Sequence, residues 1–398
     1  MEKVGTLPDV ALAVRAATRL KALGLFLLLG IIYVLRPLVV VRFGALLVGR
    51  IGHLAGNTEC YLCEKDIGLN MPRRVFDIWT PAEPANGYLL KMYERVIFTW
   101  HSRIPGMLRE GAKFLDWWHE HEFNNNSMGR DPFNLFEQIP PHLSFTPKEE
   151  KRGEAGLREM GIPKDAKWVC LIVRDPAYLG KGSEYHNFRD SDVQTYAKAA
   201  LALAERGYYV VRMGAVVEKP FQVKHDNIID YATNGMRSEF MDIYLGAKCA
   251  FCVSNGTGFD AIQMIFRRPI CFVNFAPIEY LGTYLVNSLA IWKHHIKDGK
   301  RMTTAEIFES GAGQFLASHD FREAGIRLED NSPDEIMDVV MEMADRVEGK
   351  EGANADQSDF WRDYPRSTSP YTGMPMHGRI NMRVGSSFLN NTQKESST

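Results

Sequence analysis

KCAFCVSNGTGFDAIQMIFRRPICFVNF, residues 248–275, is the stretch on which the fold turns. Lys248 to Val253 runs into a short apolar series and reads as a buried strand. Ser254-Asn255-Gly256-Thr257-Gly258 is a glycine loop. Phe259 to Phe266 reads as a helix, and Pro269 to Asn274 as a second buried strand. Strand, glycine loop, helix and strand in that order are the unit of a parallel sheet covered on both faces.

The alternation continues upstream. Trp168 to Val173, Tyr208 to Arg212 and Asn227 to Asp230 read as strands. Asp192 to Glu205 reads as a helix, with Val193, Tyr196, Ala197, Ala200 and Leu203 on one face and Gly207 past its end. Ser238 caps a helix through Leu245. Thr146, Pro147 and Glu149 form a capping-box start, and the helix they open runs to about Met160. Further upstream, Pro37 to Phe43 (PLVVVRF) is a strand and Gly44 to Gly52 a glycine-punctuated loop. His53 to Lys65 is a helix, Val75 to Trp79 a strand, 86–122 helical and 123–143 loop. The expectation is an α/β protein of two Rossmann-like domains facing a cleft. Residues 1–36 form an N-terminal segment, 37–144 the first domain, 145–347 the second, and 348–398 a polar loop and C-terminal segment, disordered after Asn391.

Composition narrows the function class. The 398 residues are 45% hydrophobic and 24% charged, with a formal net charge of -2. That balance is globular and lacks the basic excess of nucleic-acid binding, so no nucleic acid partner is expected. Six cysteines are too few for a disulfide scaffold and point to a reducing, cytoplasmic compartment. The CxxC spacings Cys60/Cys63 and Cys249/Cys252 raise a zinc reading. Cys249 and Cys252, placed on one strand, would point to opposite faces, and no metal is expected. Arg15, Arg19 and Lys21 precede an apolar run of 14 residues, Ala22 to Leu35, ended by Arg36-Pro37. A bilayer span needs about 20 residues. No small-residue cleavage site follows the run. Residues 15–35 therefore read as a helix lying on the inner face of the cytoplasmic membrane or packed on the first domain, with a short signal anchor as the remaining reading.

Ligands of open α/β sheets bind outside the carboxyl ends of the strands, which selects the residues that matter. After the first strand come Arg50, Gly52 and His53, then Asn57. Gly52 permits a tight turn, and His53 sits in the first turn of a helix facing the cleft. An imidazole there suits a base that takes a proton from an acceptor hydroxyl. In the second domain, Arg174, Arg189 and Arg212 stand at strand ends, with Gly214 after Arg212. Planar, permanently charged donors of this kind fit a diphosphate. The loop Ser254, Asn255, Gly256, Thr257 and Gly258 offers backbone amides to the same anion. It is neither a Walker loop nor a first-turn GxGxxG, so nicotinamide binding is poorly supported. Glu239 is a candidate for donor-sugar or ribose hydroxyls, or a helix-dipole partner. Asp190-Ser191-Asp192 reads as a helix N-cap.

RIGHLAGNTE (50–59), FTPKEE (145–150), RDPAYL (174–179), YHNFRD (185–190), YYVVRMG (208–214), VSNGTGFDAI (253–262) and GSSFLNN (385–391) together resemble a family of bacterial glycosyltransferases found with surface-polysaccharide genes. More distantly, the chain is similar to the ADP-heptose heptosyltransferases, inverting enzymes of the GT-B fold. Their first βα turn carries Gly-Asp, with Asp the proposed base. The matching pair here is Gly52-His53. Their donor-site Asp-Thr-Gly-x-x-His corresponds to Gly256-Thr257-Gly258 and Ala261, without the acid or the histidine, which leaves the donor open.

The resemblance implies a metal-independent GT-B glycosyltransferase of surface-polysaccharide synthesis that needs no cofactor. Its substrates would be a nucleotide sugar and a glycan or lipid-linked acceptor. His53 would be the base, and the arginines and the 254–258 loop would hold the leaving diphosphate. A nucleotide-sugar 2-epimerase and a non-catalytic nucleotide-sugar-binding protein are the alternatives.

Overall fold

A computed structural model of the chain describes residues 22–69, 71, 74–123, 129–177, 184–350 and 356–395. Two parallel α/β units face each other, the GT-B arrangement. The first carries β1 (Val40–Leu46), β2 (Val75–Pro81) and β3 (Phe98–Thr99), all parallel, in the order β1-β2-β3. The second carries β4 (Trp168–Ile172), β5 (Tyr209–Met213), β6 (Ile228–Ile229), β7 (Phe251–Ser254), β8 (Ile270–Phe275) and β9 (Leu289–Trp292). A small antiparallel sheet follows, with β10 (His294–Lys297) between β11 (Lys300–Arg301) and β12 (Ile326–Glu329). Near the C-terminus β13 (Arg383–Val384) returns to pair with β9, giving a parallel sheet in the order β13-β9-β8-β7-β4-β5-β6.

The strands of the large sheet read as unbroken apolar runs because helices cover both faces, and β4, β7 and β8 are buried throughout. The helix Pro147–Glu159 begins in the expected capping box of Thr146 and Glu149, and Glu239–Lys248 in the expected Ser238 cap.

Several boundaries move for physical reasons. Pro37 has no N–H and lies in a turn, so β1 starts at Val40. β1 then runs through Gly44, into the expected loop. The Phe123 ring lies where a Gly44 side chain would be, 2.5 Å from a Cβ there. The expected helix over 86–122 is broken into Gly87–Tyr93, β3 and Ile104–Ala112, the last with Pro105 in its first turn. The expected strand at Lys248 is corrected: Lys248 ends a helix, Cys249 is its C-cap and the strand begins at Phe251. Cys249 and Cys252 therefore do not alternate along one strand. Both pack with Cys170 in one buried cluster, and all six cysteines are free and buried.

The C-terminal segment also differs. The polar stretch holds the helix Ser358–Asp363, whose Phe360 stacks on Trp292 at 5.3 Å. The helix Ser386–Glu395 docks through buried Phe388 and Leu389 and runs on past Asn391, where disorder was expected. Before it, the chain crosses back to the first part of the molecule. The Arg379 N–H donates to Asn134 Oδ1 at 2.7 Å, and the Asn134 amide donates to the Arg379 carbonyl at 2.9 Å.

The helix over 22–35 packs Ile32 into a cluster with Phe43, Ile78, Leu108 and Trp118. Its other side leaves Phe26, Leu27, Ile31 and Val34 more than half exposed. Among the described residues no helix is long and apolar enough to cross a membrane. The basic residues Arg15, Arg19 and Lys21 lie outside the described residues.

Candidate functional site

The order of the large sheet positions the site. From β4 the chain steps outward through β5 and β6, then returns to place β7 on the other side of β4 and continues to β8 and β9. The carboxyl ends of β4 and β7 are therefore neighbours from which the connections diverge, the place where open α/β sheets bind ligands.

Asn255, fully buried just past β7, joins the two connections. Its Oδ1 accepts from the Arg174 N–H at 2.9 Å, and its Nδ2 donates to the Arg189 carbonyl at 2.8 Å. Arg174 Nε donates to Asp190 Oδ1 at 2.8 Å. Arg189 donates one Nη2 bond to the Gly256 carbonyl, and its Nε has no partner. His186 stands beside them with an unpartnered Nδ1. Burial, then Arg189, Arg174 and Arg50, push the His186 imidazole down to about 4, so it is neutral at pH 7. Burial, then Arg174, lowers the Arg189 guanidinium to about 10.

The first unit meets this cluster directly. A Cβ on Gly52 would lie 3.0 Å from the Gly258 Cα and carbonyl oxygen, so backbone contact between the units favours glycine at position 52. Gly56 likewise abuts Gly129 Cα, 3.0 Å from where its Cβ would be. Exposed Arg50 precedes Gly52, and its charge is felt by both His186 and Arg189. His53 opens a wide π-type turn, His53–Asn57, a distortion frequent at functional sites. Its Nδ1 lies 3.5 Å from Oδ1 of buried Asn57. Burial lowers the His53 pKa, the Asn57 contact opposes this, and Arg50 lowers it further. The result is a half-buried, neutral imidazole at the edge of a cationic cleft. Among the described residues neither Arg50 nor Arg189 has an ion-pair partner.

A pocket of about 310 Å³ opens beside Arg174, lined by Asp175, Asp190, Asp192, Glu218, Lys219 and Asp330. Buried Lys293 closes one side, donating to the Asp190 carbonyl at 2.6 Å and pairing with Asp330 at 2.7 Å. Asp192 accepts from the Gln194 N–H at 3.0 Å, the expected cap.

Not every expected residue joins the cluster. Arg212 is 1% exposed and spends its guanidinium on Asp230 (3.1 Å) and the Lys219 carbonyl (3.2 Å). Gly214 lies beside it, with Val217 Cγ1 2.5 Å from where its Cβ would be. Glu239 accepts from the Gly87 N–H at 3.1 Å and so ties its helix to the first unit. The 254–258 loop differs most from expectation. The Gly256 N–H donates to Ser254 Oγ, the Thr257 N–H to Asp260 Oδ2 at 2.7 Å, and the Phe259 N–H to Thr257 Oγ1. Asp260 occupies the anion position itself, its pKa raised to about 6 chiefly by burial. These amides are committed, so the loop's contributions here are the Asn255 brace, the Gly256 carbonyl and the close approach at Gly258.

His186 was missed from the sequence as a site residue. Its signal lay in the YHNFRD segment, where the arginine drew the attention.

No protein-family model matches the chain. Centromere protein L of Danio rerio is 26% identical over 151 residues, which are 37% of this chain and 39% of that protein, so the match spans well under half of the curated relative. Among solved structures, a glycosyl transferase family 9 protein from Veillonella parvula DSM 2008 has a TM-score of 0.45 at 10% identity, covering 78% of this chain and 97% of that one. The ADP-heptose LPS heptosyltransferase II of E. coli has a TM-score of 0.43 at 10% identity, covering 77% and 99%. Similarity at these levels assigns no chemistry to this chain.

Proposed function

We propose that the chain is a glycosyltransferase that moves a sugar from a nucleoside-diphosphate sugar to an acceptor hydroxyl. The observation that carries this reading is the cleft between the units. Arg50 and Arg189 converge there with no ion-pair partner among the described residues, His186 is held neutral, and a second neutral imidazole, His53, stands across the boundary.

A diphosphate supplies the missing negative charge. Arg174 and Arg189 donate to it, and neutral His186 adds a hydrogen bond from whichever ring nitrogen carries its proton. The carboxylate-lined pocket beside Arg174 accepts from hydroxyls of the ribose or the donor sugar. His53 takes the acceptor proton as the acceptor oxygen bonds to the anomeric carbon. The bond from that carbon to the diphosphate breaks, and the leaving oxygen takes the electron pair. The arginines stabilise the charge that gathers there. Arg212 and Glu239 are left out of this mechanism. Arg50, Gly52 and Asn57 shape the acceptor side.

The finer reading places the acceptor at a membrane. The helix over 22–35 carries no charged residue and keeps Phe26, Leu27, Ile31 and Val34 exposed, with Arg36 at its end. A face of that kind lies in the headgroup boundary of a bilayer. It suits a lipid-linked glycan as acceptor, at the inner face of the cytoplasmic membrane and in surface-polysaccharide synthesis. Deleting residues 1–35 is expected to abolish sedimentation with anionic lipid vesicles while nucleotide binding persists. Equal sedimentation of both forms would remove the membrane from the proposal.

The donor site is tested by thermal shift against UDP, GDP, ADP and CMP. A ligand at 100 times its dissociation constant stabilises the fold by about 2.7 kcal/mol. One diphosphate is expected to stand out, with the same shift in EDTA. Arg189→Gln is expected to weaken that binding by about 10- to 100-fold, the worth of a charge-assisted hydrogen bond. No shift with any nucleotide would overturn the donor site.

The pH profile follows from the burial of His53. A base works deprotonated, so kcat/KM rises with pH through its free-enzyme pKa. Burial and Arg50 lower that pKa, so the acidic limb is expected to fall below 6.5. Arg50→Gln removes a lowering charge and is expected to move the limb upward. A limb above 7 in the wild type would contradict the assignment of His53.

A further inference from the structure

Behind the helix that follows His53 lies a second group of polar side chains, which the mechanism does not use. Glu59 and Cys63 come from one turn of the helix Thr58–Asp66, and His142 from the segment leading into the second unit. One ligand atom from each lies within 4.8 Å of the others. Asp66 Oδ2 is 3.1 Å from His142 Nε2, and a proton held there leaves Nδ1 able to present its lone pair. Nδ1 faces Glu59 Oε2 at 3.3 Å. Both atoms are buried, and neither is in hydrogen-bonding geometry with any partner. Glu59 itself is fully buried.

Two lone-pair atoms facing each other in the interior are held by a positive charge between them, either a proton on Nδ1 or a bound cation. We propose that this is a divalent cation of the zinc type, bound by Glu59 Oε2, His142 Nδ1 and the Cys63 thiolate, with water in the fourth position. Two ligand atoms each about 2.0–2.1 Å from a tetrahedral zinc lie roughly 3.3 Å apart, the spacing seen here. A mixed sulfur, nitrogen and oxygen set favours zinc over magnesium or calcium. Asp66 on the far ring nitrogen is the usual carboxylate behind a metal-bound histidine. Charge balances as well. Zn²⁺ enters as the Cys63 thiol loses its proton and His142, where protonated, loses another. The Arg267 guanidinium, 2.7 Å from Glu59 Oε1, remains as counter-ion to that carboxylate. Because Arg267 belongs to the second unit, the ion would brace the junction beneath His53. The site is independent of the sugar-transfer reading.

The test uses the full chain, stripped with chelator and titrated with Co²⁺ and then Zn²⁺. One Co²⁺ per chain is expected, with a thiolate-to-cobalt band in the near ultraviolet that Zn²⁺ abolishes. Cys63→Ser is expected to lose the band and His142→Gln to weaken binding at least 10-fold. Cys60→Ser keeps both, since the Cys60 thiol instead donates to the Arg130 carbonyl at 3.3 Å. Should Cys63→Ser fail to fold, the wild-type spectrum and His142→Gln decide. No stoichiometric Co²⁺ uptake by the wild type would overturn the proposal, as would a band that survives in Cys63→Ser or unchanged affinity in His142→Gln.

Discussion

His53→Ala is expected to lower turnover by about 10²- to 10⁴-fold, the usual worth of a general base, while nucleotide affinity stays within a factor of two or so. The two quantities separate because His53 belongs to the first unit and most of the anion-binding groups to the second. Little else is lost with the imidazole. It is half-buried, and its polar contact to Asn57, at 3.5 Å, is long. A change of that kind costs less than about 1 kcal/mol of stability. Steady-state turnover, nucleotide affinity and thermal midpoint, measured together on the variant, check each part. Turnover within threefold of the wild type would take His53 out of the chemistry, and a matching loss of nucleotide affinity would make it a donor-binding group.

The second large effect is structural. Asp230→Ala is expected to destabilise the chain by about 3–5 kcal/mol, because it leaves Arg212 charged and buried without its partner. Asp230 also accepts from the Phe221 N–H at 2.9 Å and from the Thr233 hydroxyl at 2.6 Å, so three groups lose a bond at once. Asp175, 3.9 Å from Arg212, is too distant to replace it. In a chain of this size the loss corresponds to a fall in melting temperature on the order of 10 °C. Urea denaturation of wild type and variant measures it. A loss below about 1 kcal/mol, together with a tenfold loss of nucleotide affinity, would return Arg212 to the donor site.

Arg212 also shows where sequence reading stops. An arginine at the end of an apolar strand looks like a group at the mouth of a cleft. Its partner lies 18 residues away, past β6, and nothing local announces the pairing. Glu239 is similar, since its contact at Gly87 is 152 residues distant. The loop after β7 was legible as a glycine turn opening a helix. Its committed amides were not, because two go to the Ser254 and Thr257 hydroxyls and the carboxylate that takes the Thr257 amide, Asp260, resembles an ordinary first-turn acid. What was legible follows from local physics. Buried parallel strands are apolar runs and capping boxes mark helix starts, whereas Gly52 and Gly258 read as turn and loop glycines and their mutual contact did not show. The helix Pro333–Val347 carries a Ser332/Glu335 capping box of the same kind as Thr146/Glu149. In β10 the pattern is hidden by His294, His295 and Lys297, which give a strand a polar composition.

The return of β13 to the edge of the large sheet has a consequence for how the molecule is made. Arg383 pairs with Leu289 and Val384 with Ala290, so a segment synthesised well after Trp292 completes a sheet begun at Trp168. The strap at Arg379 closes onto Asn134 from that same late segment. While the chain is still on the ribosome, β9 is an unpaired edge carrying apolar Leu289, Ala290, Ile291 and Trp292, with Phe360 and Phe388 not yet available to cover it. Such an edge recruits other strands. The interval between synthesis of Trp292 and synthesis of Val384 is therefore a period of aggregation hazard, and a stop codon placed before Arg383 would extend it for the life of the molecule.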